Sequence, residues 1–191
     1  GESGIRAWAA EPGEYYHSFD GSYGGLWRRN GRPPQLLAGV GFSAQGKFEG
    51  SYYRRTAESH APDLAWMFEG IEDQEILGDF GFSGGGAAGF ELDRADVKLG
   101  TPEEVRVVAS SENHTSSFVL VPEEMLTHIT NWPGEEEQQK LIRSDIVYFR
   151  TPSGGEVFST GSITFCGSLP WNDFDNNISR LLENVIKRFL L

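Results

Sequence analysis

The sequence predicts an α/β protein, and two kinds of pattern carry that prediction. Residues 105–109 are rich in β-branched side chains and are typical of a core strand, and residues 145–159 read as a β-hairpin around a Pro-Ser-Gly-Gly turn. The end of the chain carries an apolar stripe with a period of 3.6 residues, which predicts a C-terminal amphipathic helix. Its members are Ile178, Leu181, Leu182, Val185, Ile186 and Phe189.

Composition bounds the class of protein. The chain has 191 residues, 38% of them hydrophobic and 13% aromatic, which fits one folded domain and argues against disorder. Its single cysteine, Cys166, excludes an intramolecular disulfide and a cysteine-based zinc site. Because Cys166 follows an apolar run without a clear basic neighbour, we expect it to be a small buried hydrophobe.

The net charge of −12 is concentrated in one part of the chain. Residues 61–140 carry −13, whereas residues 1–60 carry +1 and residues 141–191 carry 0. Such a charge should repel nucleic acid and anionic membranes. A solvated acidic face is the plain interpretation, and docking to a basic partner or adaptation to a salty cytoplasm are the alternatives.

Targeting signals are absent from the sequence. No apolar run reaches the length of a membrane span, and no basic-then-apolar leader opens the chain. We therefore expect a cytoplasmic protein that neither crosses a membrane nor binds nucleic acid. The first residue is Gly1 rather than Met, which we interpret as a processed or excised piece of a longer protein.

We expect residues 1–191 to form a single domain or a domain fragment. Residues 1–60 are rich in aromatic side chains and in Gly and Pro turns, so they are predicted to be a loop-rich cover segment, with a short strand at residues 36–42. Residues 61–191 would form the α/β core. The glycine run at residues 83–89 lacks the following Lys-Ser/Thr of a P-loop, and close backbone packing explains it better.

The strongest candidate functional residues follow the predicted core strand. Glu112 and His114 lie two apart, so on extended backbone their side chains would point the same way. Such a pair can orient water as a general base or bind a metal. At the end of a buried strand they would lie at the usual ligand edge of an α/β sheet. The alternative is that both residues only close a loop through hydrogen bonds.

Other candidates have a structural explanation that is simpler than the functional one. Glu91 and Asp93 could perform acid/base chemistry, but Arg94 beside them suggests a salt bridge. The pairs at residues 28–29 and 54–55 are arginines, which could bind an anion or make structural ion pairs. Five tyrosines could supply phenolate ligands but are more typical of packing: Tyr15, Tyr16, Tyr23, Tyr52 and Tyr53.

Four segments together carry a family resemblance: residues 39–46, 84–94, 154–169 and 176–189. With them the chain resembles the C-terminal part of the large (β) subunit of N,N-dimethylformamidase and its relatives, over nearly its whole length. The resemblance implies a domain like the class I glutamine amidotransferases and the hydrolysis of a small amide to an amine and a carboxylate. It also implies a mononuclear iron held by two tyrosines and one glutamate, and a partner small subunit.

The iron-bearing segments of that family lie largely upstream of the matched region, so the resemblance leaves the metal ligands unassigned in this chain. We expect Glu112, His114 and Asn30 to supply substrate-side groups, with the rest of the large subunit, a small subunit and an oligomer completing the enzyme. Two alternatives stay open. The chain could be a non-catalytic structural or assembly module, or a relative that binds a different ligand.

Overall fold

The computed structural model describes residues 27–121 and 135–191, with the side chains of Arg29, Asn30 and Glu135 left out. Short helices and six β-strands alternate along this part of the chain. The strands are β1 (Gly41–Arg55), β2 (Ala88–Arg94), β3 (Arg106–Glu112), β4 (Val119–Leu120), β5 (Asp145–Arg150) and β6 (Glu156–Ser159). The α-helices are α1 (Pro34–Ala38), α2 (Glu135–Leu141), α3 (Phe165–Ser168) and α4 (Asn177–Phe189). The predicted mixed α/β class is confirmed at this level.

Every strand pair in the sheet is antiparallel. The strand order is β2-β1-β3-β5-β6, and β4 also pairs with β1. The long strand β1 pairs with β2 through residues 41–51 and with β3 through residues 52–55, so the sheet curls into a half-barrel. Our placement of the site rested on the ligand edge of a parallel sheet, and that argument is wrong for this fold. Likeness to glutamine amidotransferases stays a prediction.

The apolar faces of β1, β3 and β5 pack against helix α4. Leu181 and Val185 of that helix contact a buried cluster that includes Tyr53, Met67 and Ile146. The amphipathic stripe therefore covers the sheet, as the sequence predicts. Asn176 caps the helix because its side chain accepts a hydrogen bond from the amide of Ser179 at 2.9 Å.

The hairpin of β5 and β6 is confirmed. Pro62 and Asp63 are typical of a helix start, with a brief strand at residues 66–68 as the alternative, and the structure has a 3₁₀ helix at Pro62–Phe68. The loop-rich expectation for residues 1–60 is wrong over Gly41–Arg55, which forms the longest strand. The short strand expected at residues 36–42 is wrong over residues 36–38, which belong to the helix Pro34–Ala38, and correct over residues 41–42, where β1 begins. Pro34 starts that helix and Gly39, at φ 78°, ends it.

Some predictions fall outside the described residues or stay open. A helix expected from Pro122 to Ile129 lies outside them, as do most of the N-terminal aromatic side chains. The division into a cover segment and a core at residue 60 stays a prediction. Within the described ranges, no helix is both long and apolar enough to cross a bilayer.

Candidate functional site

Glu112 is the last residue of β3 and forms a surface ion pair. The Arg54 guanidinium on the neighbouring strand donates to its carboxylate, with Nε 2.5 Å from Oε1. Both side chains are about half exposed. An exposed pair of this kind contributes only about 0–1 kcal/mol to stability.

The chain turns sharply after Glu112. Asn113 has a φ of 62°, in the left-handed region that asparagine tolerates better than most residues. Because the backbone is not extended here, the argument that Glu112 and His114 point the same way is wrong. The structure gives each its own partner, and a catalytic role for either residue stays a prediction.

His114 points back to the strand and bonds to Ser111. Its Nε2 lies 2.6 Å from Ser111 Oγ, and the Ser144 amide donates to the same oxygen at 2.7 Å. A hydroxyl oxygen has two acceptor lone pairs, so Ser111 can donate its own proton to Nε2 or accept one from it while it accepts from that amide. When the hydroxyl donates, the neutral ring carries its proton on Nδ1.

Nδ1 of His114 is the unusual atom of the site. It is buried, and it makes no hydrogen bond to any described residue. A buried donor without a partner costs about 1–3 kcal/mol. The ring also packs against Phe118, with ring centroids 4.7 Å apart. His114 is therefore held in place through Nε2, whereas Nδ1 has no hydrogen-bond partner among the described residues.

Burial lowers the pKa of His114 to about 4, and the nearby Glu49 carboxylate only partly opposes that shift. The imidazole is therefore neutral at pH 7. A group with so low a pKa is a weak base at neutral pH, since catalytic bases work best near the operating pH. The geometry favours His114 as a neutral hydrogen-bond donor rather than the general base considered from sequence.

Glu49 is a neighbour that sequence reasoning missed. In β1, Gln45 pairs with Glu91 and Gly50 with Gly89, so residues 46–49 bulge out of the pairing with β2. The bulge brings Glu49 to the hydroxyls of Thr115 and Ser117, which both donate to its carboxylate. These hydrogen bonds lower the pKa of Glu49, so it stays ionised. Glycines at both ends of the bulge, Gly46 and Gly50, were the available signal.

Asn30 ends the 3₁₀ helix Trp27–Asn30. Its side chain lies outside the described residues, so its role stays a prediction. Three surface cavities formed by described residues lie away from the end of β3, and neither Glu112 nor His114 lines any of them. One of the three has a volume of about 510 Å³ and is lined by Trp27, Leu36 and Leu37 among others.

Among the described tyrosines, Tyr53 does not fit the role of a phenolate ligand to iron. Tyr53 is fully buried, and its hydroxyl donates to the carbonyl of Thr160 at 2.7 Å. Burial raises the pKa of Tyr53, which is the opposite of what a phenolate ligand needs. In residues 27–121 and 135–191, no three His, Cys, Asp or Glu side chains gather as a metal site. Tyr15, Tyr16 and Tyr23 lie outside those ranges.

The remaining candidates are mostly structural. Arg94 is buried and pairs with Asp96 at 2.9 Å. Arg55 lies over the ring of Phe68 at 4.1 Å.

The glycine run packs backbone on backbone, as the sequence predicts. A Cβ on Gly86 would overlap the carbonyl of Ser51, so no side chain fits there. The prediction for Cys166 is wrong, because it lies exposed in the short helix α3.

Comparison with known proteins gives one consistent result. Residues 1–177 match the family described as N,N-dimethylformamidase beta subunit-like, C-terminal. Two curated relatives, the N,N-dimethylformamidase beta subunits of Alcaligenes sp and Paracoccus aminophilus, are each 41% identical to the chain over 189 residues. The match covers 99% of this chain and 24% of each relative, so the chain spans about a quarter of their length. The chain therefore belongs to the N,N-dimethylformamidase beta subunit-like C-terminal family.

Proposed function

We propose that this chain is the C-terminal region of a longer subunit that hydrolyses small linear amides, in the manner that the name of its relatives describes. The observation that carries the proposal is 41% identity along 99% of the chain. We place the iron of the family, its glutamine amidotransferase-like domain and the contact with a small subunit in the larger assembly. No step is assigned to a metal here.

Within that reaction, we assign His114 to the substrate side. Amide hydrolysis adds water to the carbonyl carbon, breaks the C–N bond and returns a proton to the departing amine. A neutral imidazole held by Ser111 offers its buried Nδ1–H as a fixed donor to an oxygen of the reacting group. Glu112, which pairs with Arg54, and Asn30 are weaker candidates for proton transfer and substrate contact.

A second candidate function is a structural module that touches no substrate. The observation that favours it is that His114 already bonds to Ser111 and packs on Phe118, as a loop-closing residue would. In that case its loss would lower stability without changing the chemistry of the complete enzyme.

The two functions separate in an assay of dimethylformamide hydrolysis by the longer subunit with its small-subunit partner. The variants are His114→Gln, Glu112→Gln and Asn30→Ala. Glu58→Gln is the matched control, because Glu58 also forms a surface ion pair, with Arg106. We expect His114→Gln to lower kcat about tenfold or more, as losing a fixed donor does. Wild-type kcat in all three variants, with altered thermal stability, would instead establish the structural module.

A further inference from the structure

The segment Trp171–Phe174, which we call the strained turn, has an unusual backbone. Three consecutive non-glycine residues adopt left-handed conformations: Asn172 (φ 50°, ψ 46°), Asp173 (φ 53°, ψ 39°) and Phe174 (φ 67°). Asparagine and aspartate tolerate this region better than phenylalanine does, so the backbone of Phe174 is the most strained of the three. The surrounding structure must therefore hold the turn in place.

Side-chain amides fix the turn at both ends. Asn172 Nδ2 donates to the carbonyl of Asp175 at 2.9 Å. Asn176 Nδ2 donates to the carbonyl of Trp171 at 2.7 Å and to that of Leu169 at 3.0 Å. The turn is thus held at the start of helix α4, which Asn176 also caps. These hydrogen bonds hold the strained backbone in a conformation in which the side chain of Phe174 points outward and is 64% exposed.

Trp171, the first residue of the strained turn, belongs to a group of aromatic side chains at the surface. Trp171 stacks on Phe80, with ring centroids 5.9 Å apart. Trp171 also contacts Phe82, with ring centroids 5.2 Å apart. Phe82 is 70% exposed. We call Phe80, Phe82, Trp171 and Phe174 the aromatic patch. Rigid aromatic side chains in fixed positions are typical anchors of protein interfaces.

The aromatic patch has an acidic border. Asp79, Asp173 and Asp175 are exposed, and the segments 78–86 and 162–179 contain no lysine or arginine. Within the described parts of the chain, none of these three carboxylates forms an ion pair. Elsewhere Arg106 and Arg143, for example, are paired with acids. The surface that best complements this patch is apolar at its centre and basic at its rim.

We propose that the aromatic patch docks onto the upstream part of the same longer subunit, on an apolar surface bordered by lysine or arginine. This inference rests on the proposed function, because it requires a longer subunit. The relatives extend well beyond the matched region, which is 24% of their length, so the covering surface can come from the same chain. A second copy fits poorly, since a two-fold contact would set the acidic borders against each other.

Cys166 is a built-in reporter for this contact. It is exposed, and the carbonyl of its neighbour Gly167 accepts a hydrogen bond from the amide of Phe82 at 2.9 Å. The experiment alkylates Cys166 with iodoacetamide in the 191-residue chain and in the longer subunit, and mass spectrometry of the peptide reports the rate. We expect alkylation to be about tenfold slower in the longer subunit, as burial at an interface anchor produces.

Two substitutions make the test specific. Phe174→Asn keeps a residue that tolerates the left-handed backbone but removes the anchor, so it should restore rapid alkylation in the longer subunit. Phe189→Asn is the control, because Phe189 is also an exposed aromatic residue, at the end of α4. It should leave Cys166 protected.

Three results would overturn the proposal: equal alkylation rates in both proteins, protection that survives Phe174→Asn, or a 191-residue chain that dimerises and protects its own Cys166. Dimethylformamide hydrolysis by the same wild-type subunit is measured alongside. Its absence would overturn the proposed function while leaving the docking result to stand by itself.

Discussion

His114 is a candidate functional residue whose pKa the fold lowers well below its ordinary value. Its ring is enclosed by Phe118 and the end of β3, with Ser111 on Nε2. The charged groups that act on it are few, and the Glu49 carboxylate is the one that favours protonation. Burial outweighs that attraction, so the folded protein holds a neutral imidazole at any pH near neutrality.

This shift predicts how stability depends on pH. The pKa of His114 falls from an ordinary value of 6.5 to about 4 in the folded state. Since the unfolded chain binds the proton more tightly, the stabilisation is complete above pH 6.5 and is lost as the pH falls toward 4. The full loss corresponds to about 3 kcal/mol. Urea unfolding of the wild type and of His114→Gln over this range measures it.

In that experiment the wild type should lose more stability than His114→Gln between pH 6.5 and pH 4. Glu49 titrates in the same protein, and its lowered pKa, caused first by the hydrogen bonds from Ser117 and Thr115, also removes stability as the pH falls. Those two hydroxyls are present in both proteins, so the difference between the two curves reports His114 together with its smaller effect on Glu49. Parallel curves would show that His114 is not buried in its neutral form.

At the scale of elements, the bulge in β1 depends on glycines that face it. Gly86 packs against the backbone of β1, where a Cβ would lie 2.9 Å from the carbonyl carbon of Gly50 and closer still to the carbonyl oxygen of Ser51. Backbone atoms cannot move aside as a flexible side chain can. The contact between the glycine run and the long strand therefore tolerates no larger residue.

We predict that Gly86→Ala destabilises the protein by about 2 kcal/mol or more, because it overpacks this contact. Gly155→Ala is the matched control. A Cβ there meets only the Thr151 hydroxyl oxygen, at 3.1 Å, and its cost should stay within about 0.5 kcal/mol. Chemical denaturation measures the free energy of unfolding of both variants. Equal values for Gly86→Ala and Gly155→Ala would contradict the packing described here.

Elements with strong local signals were predictable from sequence. The apolar stripe predicted helix α4, and the turn at residues 151–155 predicted the hairpin of β5 and β6. Strand β1 was not, because the bulge at residues 46–49 interrupts the alternation that marks a strand. Its pairing with β2 and β3 joins residues far apart in sequence, and local patterns do not record such contacts.

The candidate site was also predictable only in part from the sequence. The sequence was sufficient to select Glu112 and His114 as polar residues at the end of a core strand. It could not show that the left-handed Asn113 separates them, or that Glu49 comes from a different strand. The strained turn was equally invisible, since its residues 171–174 read as an ordinary polar and aromatic loop.

At the scale of the whole molecule, the described residues form one curled antiparallel sheet with helix α4 across its face. Polar side chains gather at the end of β3, and an aromatic, acidic surface lies before α4. The chain matches 24% of the length of its relatives. We therefore expect this region to act only as part of a longer enzyme.

The most direct test compares two proteins, the 191-residue chain and the longer subunit assembled with its small subunit. Dimethylamine release from dimethylformamide and bound iron are measured in both. We predict release and bound iron in the assembled subunit, and neither in the 191-residue chain, which should still fold cooperatively. An assembled subunit that binds no iron and releases no dimethylamine would contradict the account.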